Sequence, residues 1–262
     1  MAQVPGPKPA TARHRPPPPD TARHRPPPPA RSSSAAPDTL THVSSQSRPG
    51  FFLSFEGGEG VGKSTQSRLL GEWLRDVVGR EVVLTREPGG TTLGIELRNA
   101  VLHGEDIDPR TEALLYATDR AHHVHSLIRP ALERGAVVIT DRYLDSSVAY
   151  QGNGRDLGAD EVERLSLWAT ESLLPQLTVL LDLDPRIGLT RLTGDPDRLE
   201  RAGDEFHLRI RDAFLARARL DRERWLVVDA SRSAEEIQAD IRVRVAAELG
   251  ITSSDAQGAA TA

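Results

Sequence analysis

The chain is 262 residues long, carries no cysteine and has a formal net charge of −5, which excludes a disulfide framework and thiolate metal centres. Residues 1–50 hold seven Lys/Arg against two Asp, 7 − 2 = +5, leaving −5 − 5 = −10 for the rest; so acidic a body excludes broad nucleic-acid binding, which needs a basic face to displace counterions. No run approaches 18 apolar residues and no apolar signal segment stands near residue 1, so neither a membrane span nor export is expected, and a cytoplasmic protein is.

In chain order, "TARHRPPPPD" at 11–20 is followed at once by "TARHRPPPPA" at 21–30, a tandem ten-residue repeat. Four successive prolines favour polyproline II and remove backbone donors, so the segment cannot join a sheet or bury a core. Residues 1–49 are therefore expected to be a disordered Pro/Arg/Ser-rich tail, with weak docking to a proline-reading partner as its secondary role. A folded domain is expected over 50–250, and a flexible C-terminal tail over 251–262.

From Phe51 the character changes. "FFLSFE" is a short apolar run, and after a glycine-rich loop "QSRLLGEWLRDVV" places Leu69, Leu70, Trp73, Leu74 and Val77 at helical spacing. Further buried-strand runs stand at 81–85, 136–140, 177–183 and 225–230, with helical patterns at 111–134, 159–174, 205–223 and 234–249. Strands alternating with helices predict an α/β fold with a five-stranded parallel sheet covered on both faces. In such sheets ligands bind at the carboxyl ends of the strands.

The loop between the first strand and helix, Gly57-Gly58-Glu59-Gly60-Val61-Gly62-Lys63-Ser64, fills every fixed position of G-x-x-x-x-G-K-[ST], and Thr65 follows. In that pattern backbone N–H groups surround phosphate oxygens, the lysine reaches the β- and γ-phosphates, and the serine ligates Mg²⁺. A dinucleotide fingerprint fails, because Lys63 stands where its last glycine is required. No N-K-x-D motif is present, which argues against a GTPase. A nucleoside triphosphate is the first expected ligand.

Three more clusters fall at strand ends or on the facing helix: "TREPGGT" at 85–91, "LLYATDR" at 114–120 and "DRY" at 141–143. Each carries an arginine, Arg86, Arg120 and Arg142, whose forked donors suit a phosphate monoester. A second phosphate site opposite the glycine loop is expected.

With the glycine loop, TREPGGT, LLYATDR, DRY, "SSVAYQG" (146–152) and "DRLE" (197–200) in this order, the chain resembles the thymidylate kinases from about Phe51 to Leu249. The resemblance implies a P-loop NTPase three-layer sandwich with a short lid, acting as a homodimer. It implies transfer of the γ-phosphoryl of ATP to dTMP with Mg²⁺, giving dTDP and ADP for dTTP synthesis. Residue by residue, it implies ATP binding by Gly57 through Thr65, with Lys63 on the transferring group and Ser64 and Asp141 at the metal. Glu59 would accept from the sugar 3′-hydroxyl, and Arg86 and Arg142 would clamp the dTMP phosphate. Tyr116 would stack on thymine, Arg120 and Ser147 would reach its polar edge, and Tyr150 would pack beneath the deoxyribose.

The chain departs from its relatives in the lid. Where relatives with glycine at the position of Gly60 usually compensate with several lid arginines, residues 185–206 are short and offer Arg191, Arg198 and Arg201. Arg198, in DRLE, is the best-matched catalytic arginine and Arg191 an ATP contact. His122 and His125 have near zinc spacing without a third ligand, and Asp182 and Asp184 are read as shaping the turn into the lid. Two rival readings are a same-fold kinase for another nucleotide or nucleoside, and a catalytically silent nucleotide-binding module working through its tail.

Overall fold

A computed structural model describes residues 49–193 and 195–252; the tandem repeat with its partner, and the residues from 253 on, lie outside the described residues. The chain runs β1 (Phe51–Glu56), α1 (Lys63–Val78), β2 (Val82–Arg86), α2 (Thr92–His103) and α3 (Pro109–His123). A π-helical turn (Val124–Ile128), α4 (Arg129–Glu133), β3 (Val137–Asp141), α5 (Leu144–Ser147), a second π-helical stretch (Val148–Gly154) and α6 (Ala159–Ala169) follow. Then come β4 (Leu177–Asp182), α7 (Pro185–Thr190), a 3₁₀ turn (Glu200–Ala202), α8 (Asp204–Leu220), β5 (Trp225–Asp229) and α9 (Ala234–Leu249).

All five strands are parallel, in the order β2-β3-β1-β4-β5. β1 lies at the centre and is buried along its whole length, which is why it reads as a continuous apolar run rather than an alternating one. Its side chains still alternate between layers. Phe51, Leu53 and Phe55 join Leu70 and Leu74 of α1 and Ile237, Ile241 and Val245 of α9. Phe52 faces the other way, against Val124, Ile128, Val148 and the ring of Tyr143, edge-on at 5.0 Å. The two polar side chains of β1 are each partnered: Ser54 shares a hydrogen bond with Thr178 (3.1 Å), and Glu56 is taken up below. The result is a three-layer α/β sandwich.

Register decides what meets at the carboxyl edge. Phe55 of β1 and Arg86 of β2 both stand opposite Asp141 of β3, so the glycine loop, the TREPGGT loop and the DRY turn emerge side by side. Between β4 and α8 the chain passes back over this edge through α7 and the 3₁₀ turn.

Several element boundaries differ from the sequence reading. α2 was not expected; Thr91 caps it by accepting from the Gly94 amide (2.9 Å), and it buries Val101 and Leu102. The single helix expected over 111–134 begins at Pro109, capped by Asp108, and is interrupted by the π-helical turn before Pro130, since proline removes the donor that a regular ladder needs. The helix expected over 159–174 ends at Ala169, because Glu171 and Ser172 adopt left-handed backbone, φ 50° and 59°. The helix expected to 223 stops at Leu220. Among the described residues no helix is long and apolar enough to cross a membrane.

Candidate active site

Two openings flank Glu59 at the carboxyl edge. One, about 870 Å³, is walled by Gly60 to Thr65, Arg86, Asp141 and Arg191. The other, about 500 Å³, runs from Pro88 and Leu102 to Tyr116, Arg120, Ser147 and Tyr150. Glu59, Glu87, Arg98 and Arg142 line both, so two ligands would meet end to end along one charged wall.

On the larger side, Lys63 opens α1 and folds back into the loop, donating to the carbonyls of Gly57 (3.2 Å) and Gly58 (2.6 Å). Burial, then the neighbouring Arg142 cation, lowers its ammonium pKa. Ser64 Oγ donates to Asp141 Oδ2 at 2.7 Å, joining the two residues expected at a metal. The loop needs glycine at position 60 for two reasons. Its φ is +67°, and a Cβ there would lie 2.0 Å from the carbonyl oxygen of Gly188 in α7. Arg191, at the end of α7, borders this opening.

Arg142 sits at the junction of the two openings in left-handed backbone, φ 70°. Its guanidinium spreads four ways: Nη1 donates to Gly57 O (3.0 Å) and Ser146 Oγ (3.1 Å), Nη2 to Glu59 Oε1 (2.7 Å) and the Tyr150 hydroxyl (3.1 Å). Tyr150 in turn donates to Glu59 Oε1 (2.8 Å), and its ring lies beneath the guanidinium, 5.0 Å from ring centre to Cζ. Burial alone would raise the Glu59 carboxyl, but the Arg142 and Lys63 cations and the Tyr150 hydroxyl hold it down at about 2. Glu59 is therefore a fixed anion between two fixed cations.

The smaller opening is built on a buried polar frame. Arg120 is 2% exposed and donates from Nε to Glu87 Oε2 (2.7 Å), from Nη1 to Ser166 Oγ (3.3 Å), and from Nη2 to Tyr143 O (3.3 Å) and Ser147 Oγ (3.1 Å). Most of its donors are thus used inside the protein, leaving one Nη1 hydrogen for a ligand. The other Glu87 oxygen faces His123 Nδ1 (3.0 Å), whose Nε2 meets Thr85 Oγ1 (2.7 Å). So His123, rather than His122 or His125, is the histidine that supports the site. Tyr116 is buried, and burial raises its phenol pKa. Tyr150 is wedged edge-on between Phe206 and Phe214 of α8.

The lid arginines separate. Arg198 is not brought to the glycine loop: it is 8% exposed, with Nε on Val101 O (2.9 Å) and Nη1 on Glu112 (2.8 Å). Arg201 donates to Pro196 O (2.7 Å) at the surface. Asp184 caps α7, accepting from the Arg186 amide, while Asp182 is held by both arms of Arg211 (2.6 and 2.9 Å). The sequence reading gave no role to Glu87 or His123, and it missed one helix-borne site residue together with its helix. Arg98 lines both openings and donates to Pro88 O (3.1 Å); it lies on α2, and Leu93, Leu97, Val101 and Leu102 at helical spacing were the signal for that helix.

Comparison with known proteins gives the family of the chain. The family model "Thymidylate kinase" matches residues 55–241. A thymidylate kinase of Leifsonia xyli subsp. xyli is 62% identical over 202 residues, spanning 76% of this chain and 95% of the relative. One from Clavibacter michiganensis subsp. michiganensis is 59% identical, spanning 78% and 99%. The crystal structure of a thymidylate kinase from Ehrlichia chaffeensis superposes with a TM-score of 0.63 at 31% identity, covering 75% of this chain and 98% of that one. With its loop, strand order and sequence all in agreement, the chain belongs to the thymidylate kinase family.

Proposed function

We propose that the larger opening holds ATP and the smaller one dTMP, with the γ-phosphoryl passing between them beside Arg142. The chain is a dTMP kinase: it transfers the γ-phosphoryl of ATP to dTMP, giving dTDP and ADP. The observation that carries the site assignment is the shared wall of Glu59, Glu87, Arg98 and Arg142, along which the phosphate ends of two nucleotides would face each other.

Phosphoryl transfer leaves a protein little covalent work, so positioning and charge neutralisation dominate. A phosphate oxygen of dTMP attacks the γ-phosphorus, the bond to the β-bridging oxygen breaks, and the electron pair leaves with ADP. The acceptor is already anionic near pH 7, so no general base is required. Lys63 and the loop amides hold the donor phosphates; Arg142 and Arg98, which line both openings, lie where the acceptor phosphate ends, and Arg86, on the wall of the larger opening alone, would face it from the donor side. Arg191, at the end of α7, is the lid arginine placed to reach ATP. Arg198 and Glu112 anchor the lid's returning segment beneath the dTMP side. Glu59 and Tyr150 form the sugar end, and Tyr116, Arg120 and Ser147 the base end.

Ser64 and Asp141 fit Mg²⁺: a hydroxyl and a carboxylate at hydrogen-bond distance supply hard oxygen donors beside the loop, and Mg²⁺ in such sites takes its other ligands from phosphate and water. When bound there, the ion would supply positive charge to neutralise the ATP phosphates. A homodimer is part of this reading, and Leu114 and Trp168, left 55% and 81% exposed along one groove between α3 and α6, support it.

A coupled ADP-release assay with dTMP, dUMP, thymidine ribonucleotide monophosphate, dCMP and AMP tests the assignment, dTMP being expected to give the highest kcat/KM. Lys63→Ala should lose most of kcat with KM for dTMP nearly unchanged. Arg142→Ala should raise KM for dTMP about tenfold to a hundredfold, the worth of a charge-assisted hydrogen bond. Near-normal turnover in Lys63→Ala would overturn the mechanism.

A further inference from the structure

Glu56 is the last residue of β1 and lies outside both openings, yet it is wholly buried in the middle of the sheet. Among the described residues its carboxylate touches no cation directly. Oε1 accepts from the Tyr143 amide at 2.8 Å, and Oε2 accepts from Ser146 Oγ at 2.6 Å. Those two donors bracket Arg142. Tyr143 is its chain neighbour, and Ser146 Oγ is the atom on which Arg142 Nη1 rests at 3.1 Å.

The bracket acts on a strained residue. Arg142 holds left-handed backbone, which a residue with a Cβ adopts only when its surroundings over-determine it. Three contacts do so here. The Arg142 amide donates to Phe55 O (2.9 Å), its carbonyl accepts from Thr140 Oγ1 (2.9 Å), and the next amide is taken by Glu56. Of the three acceptors and donors, only Glu56 also reaches the guanidinium, through Ser146.

We propose that Glu56 is a positioning residue for the kinase reaction: it holds the left-handed Arg142 turn through Tyr143 N–H and aims the guanidinium through Ser146 at the acceptor phosphate. The inference rests on the reading that Arg142 binds that phosphate. Neither contact needs a negative charge. A glutamine can present its carbonyl to Tyr143 N–H and its amide to Ser146 Oγ, whereas alanine can do neither. Asp145, next to this cluster, cannot take over, because its carboxylate is engaged by Arg217 (2.7 Å) and Arg224 (2.8 Å).

The test uses the full chain, with kcat and KM measured for dTMP and for ATP separately. Glu56→Ala and Ser146→Ala should each raise KM for dTMP about tenfold, the scale on which small misplacements of a binding group act, with KM for ATP within twofold. Glu56→Gln should restore most of the loss. In an Arg142→Ala background, Glu56→Ala should add nothing further to KM for dTMP. If Arg142→Ala itself leaves dTMP binding unchanged, the reading of Arg142 fails; if it weakens binding while Ser146→Ala and Glu56→Ala show no effect specific to dTMP, the role of Glu56 is overturned. Should Glu56→Ala fail to fold, Ser146→Ala, which removes only the side-chain arm, decides alone: an unchanged KM for dTMP overturns the proposal.

Discussion

Two carboxylates three residues apart meet opposite fates. Glu59, between Arg142 and Lys63, is kept ionised, whereas Glu56, deeper by one turn of chain, has its pKa pushed up to about 8 by burial and then by the charge of Asp145, against the opposing pull of Arg142. Asp145 is itself lowered: burial opposes ionisation, but its bonds to Arg224 and Arg217 prevail, so of the two carboxyls Glu56 is the one that burial holds toward its neutral form. Besides Asp145 from α5 and Arg142 from the turn after β3, Glu56 feels the Lys63 ammonium from α1. A carboxyl raised in the folded state favours the protein most while it is neutral. That stability is complete below the unfolded value of about 4.5 and is lost as pH rises toward about 8. Glu56→Gln does not titrate. The melting temperature of this variant relative to the parent should therefore climb from pH 5 to pH 8; a constant difference across that range would show that Glu56 ionises without penalty.

At the scale of elements, the glycine loop and α7 were expected to be related only through the arginines of the lid. They are in contact through backbone. A Cβ on Gly60 would lie 2.0 Å from Gly188 O, and one on Gly188 would lie 2.2 Å from Glu59 O, so glycine stands at both positions because two main chains cross there. An arginine at 60 has no room in this packing. Gly188→Ala suffers crowding alone, a cost of about 1–3 kcal/mol. Gly60→Ala adds the penalty of left-handed backbone, about 1–2 kcal/mol, and should also raise KM for ATP. Thermal unfolding of the two variants checks this, with Gly60→Ala expected to melt lower. If the two melt together, the left-handed φ contributes nothing measurable.

At the scale of the molecule, residues 1–48 lie outside the described structure, and their proline blocks cannot supply the donors that a sheet requires. Deleting them should leave melting temperature and dTMP kinase activity almost unchanged, which a side-by-side assay of the full and shortened chains measures. A large loss of either would mean that the tail is part of the working enzyme. The class of the fold was legible without coordinates, because a central parallel strand must be apolar throughout, and "FFLSFE" before a complete phosphate loop admits few other readings. The glycine loop between β1 and α1 was legible too, since its whole pattern lies in one continuous stretch of chain. What needed the tertiary structure was everything set by distance across the sheet. Register put Arg86 and Asp141 side by side, α2 brought Arg98 into the site, and burial against Glu112 and Val101 carried Arg198 away from the loop that its DRLE motif had suggested. Glu56 is the sharpest case. As a residue type it is an acid at the end of a strand; only when β3 lies alongside β1 does its carboxylate find Tyr143 and Ser146, 87 and 90 residues away, because hydrogen bonds act over about 3 Å of space and take no account of separation along the chain.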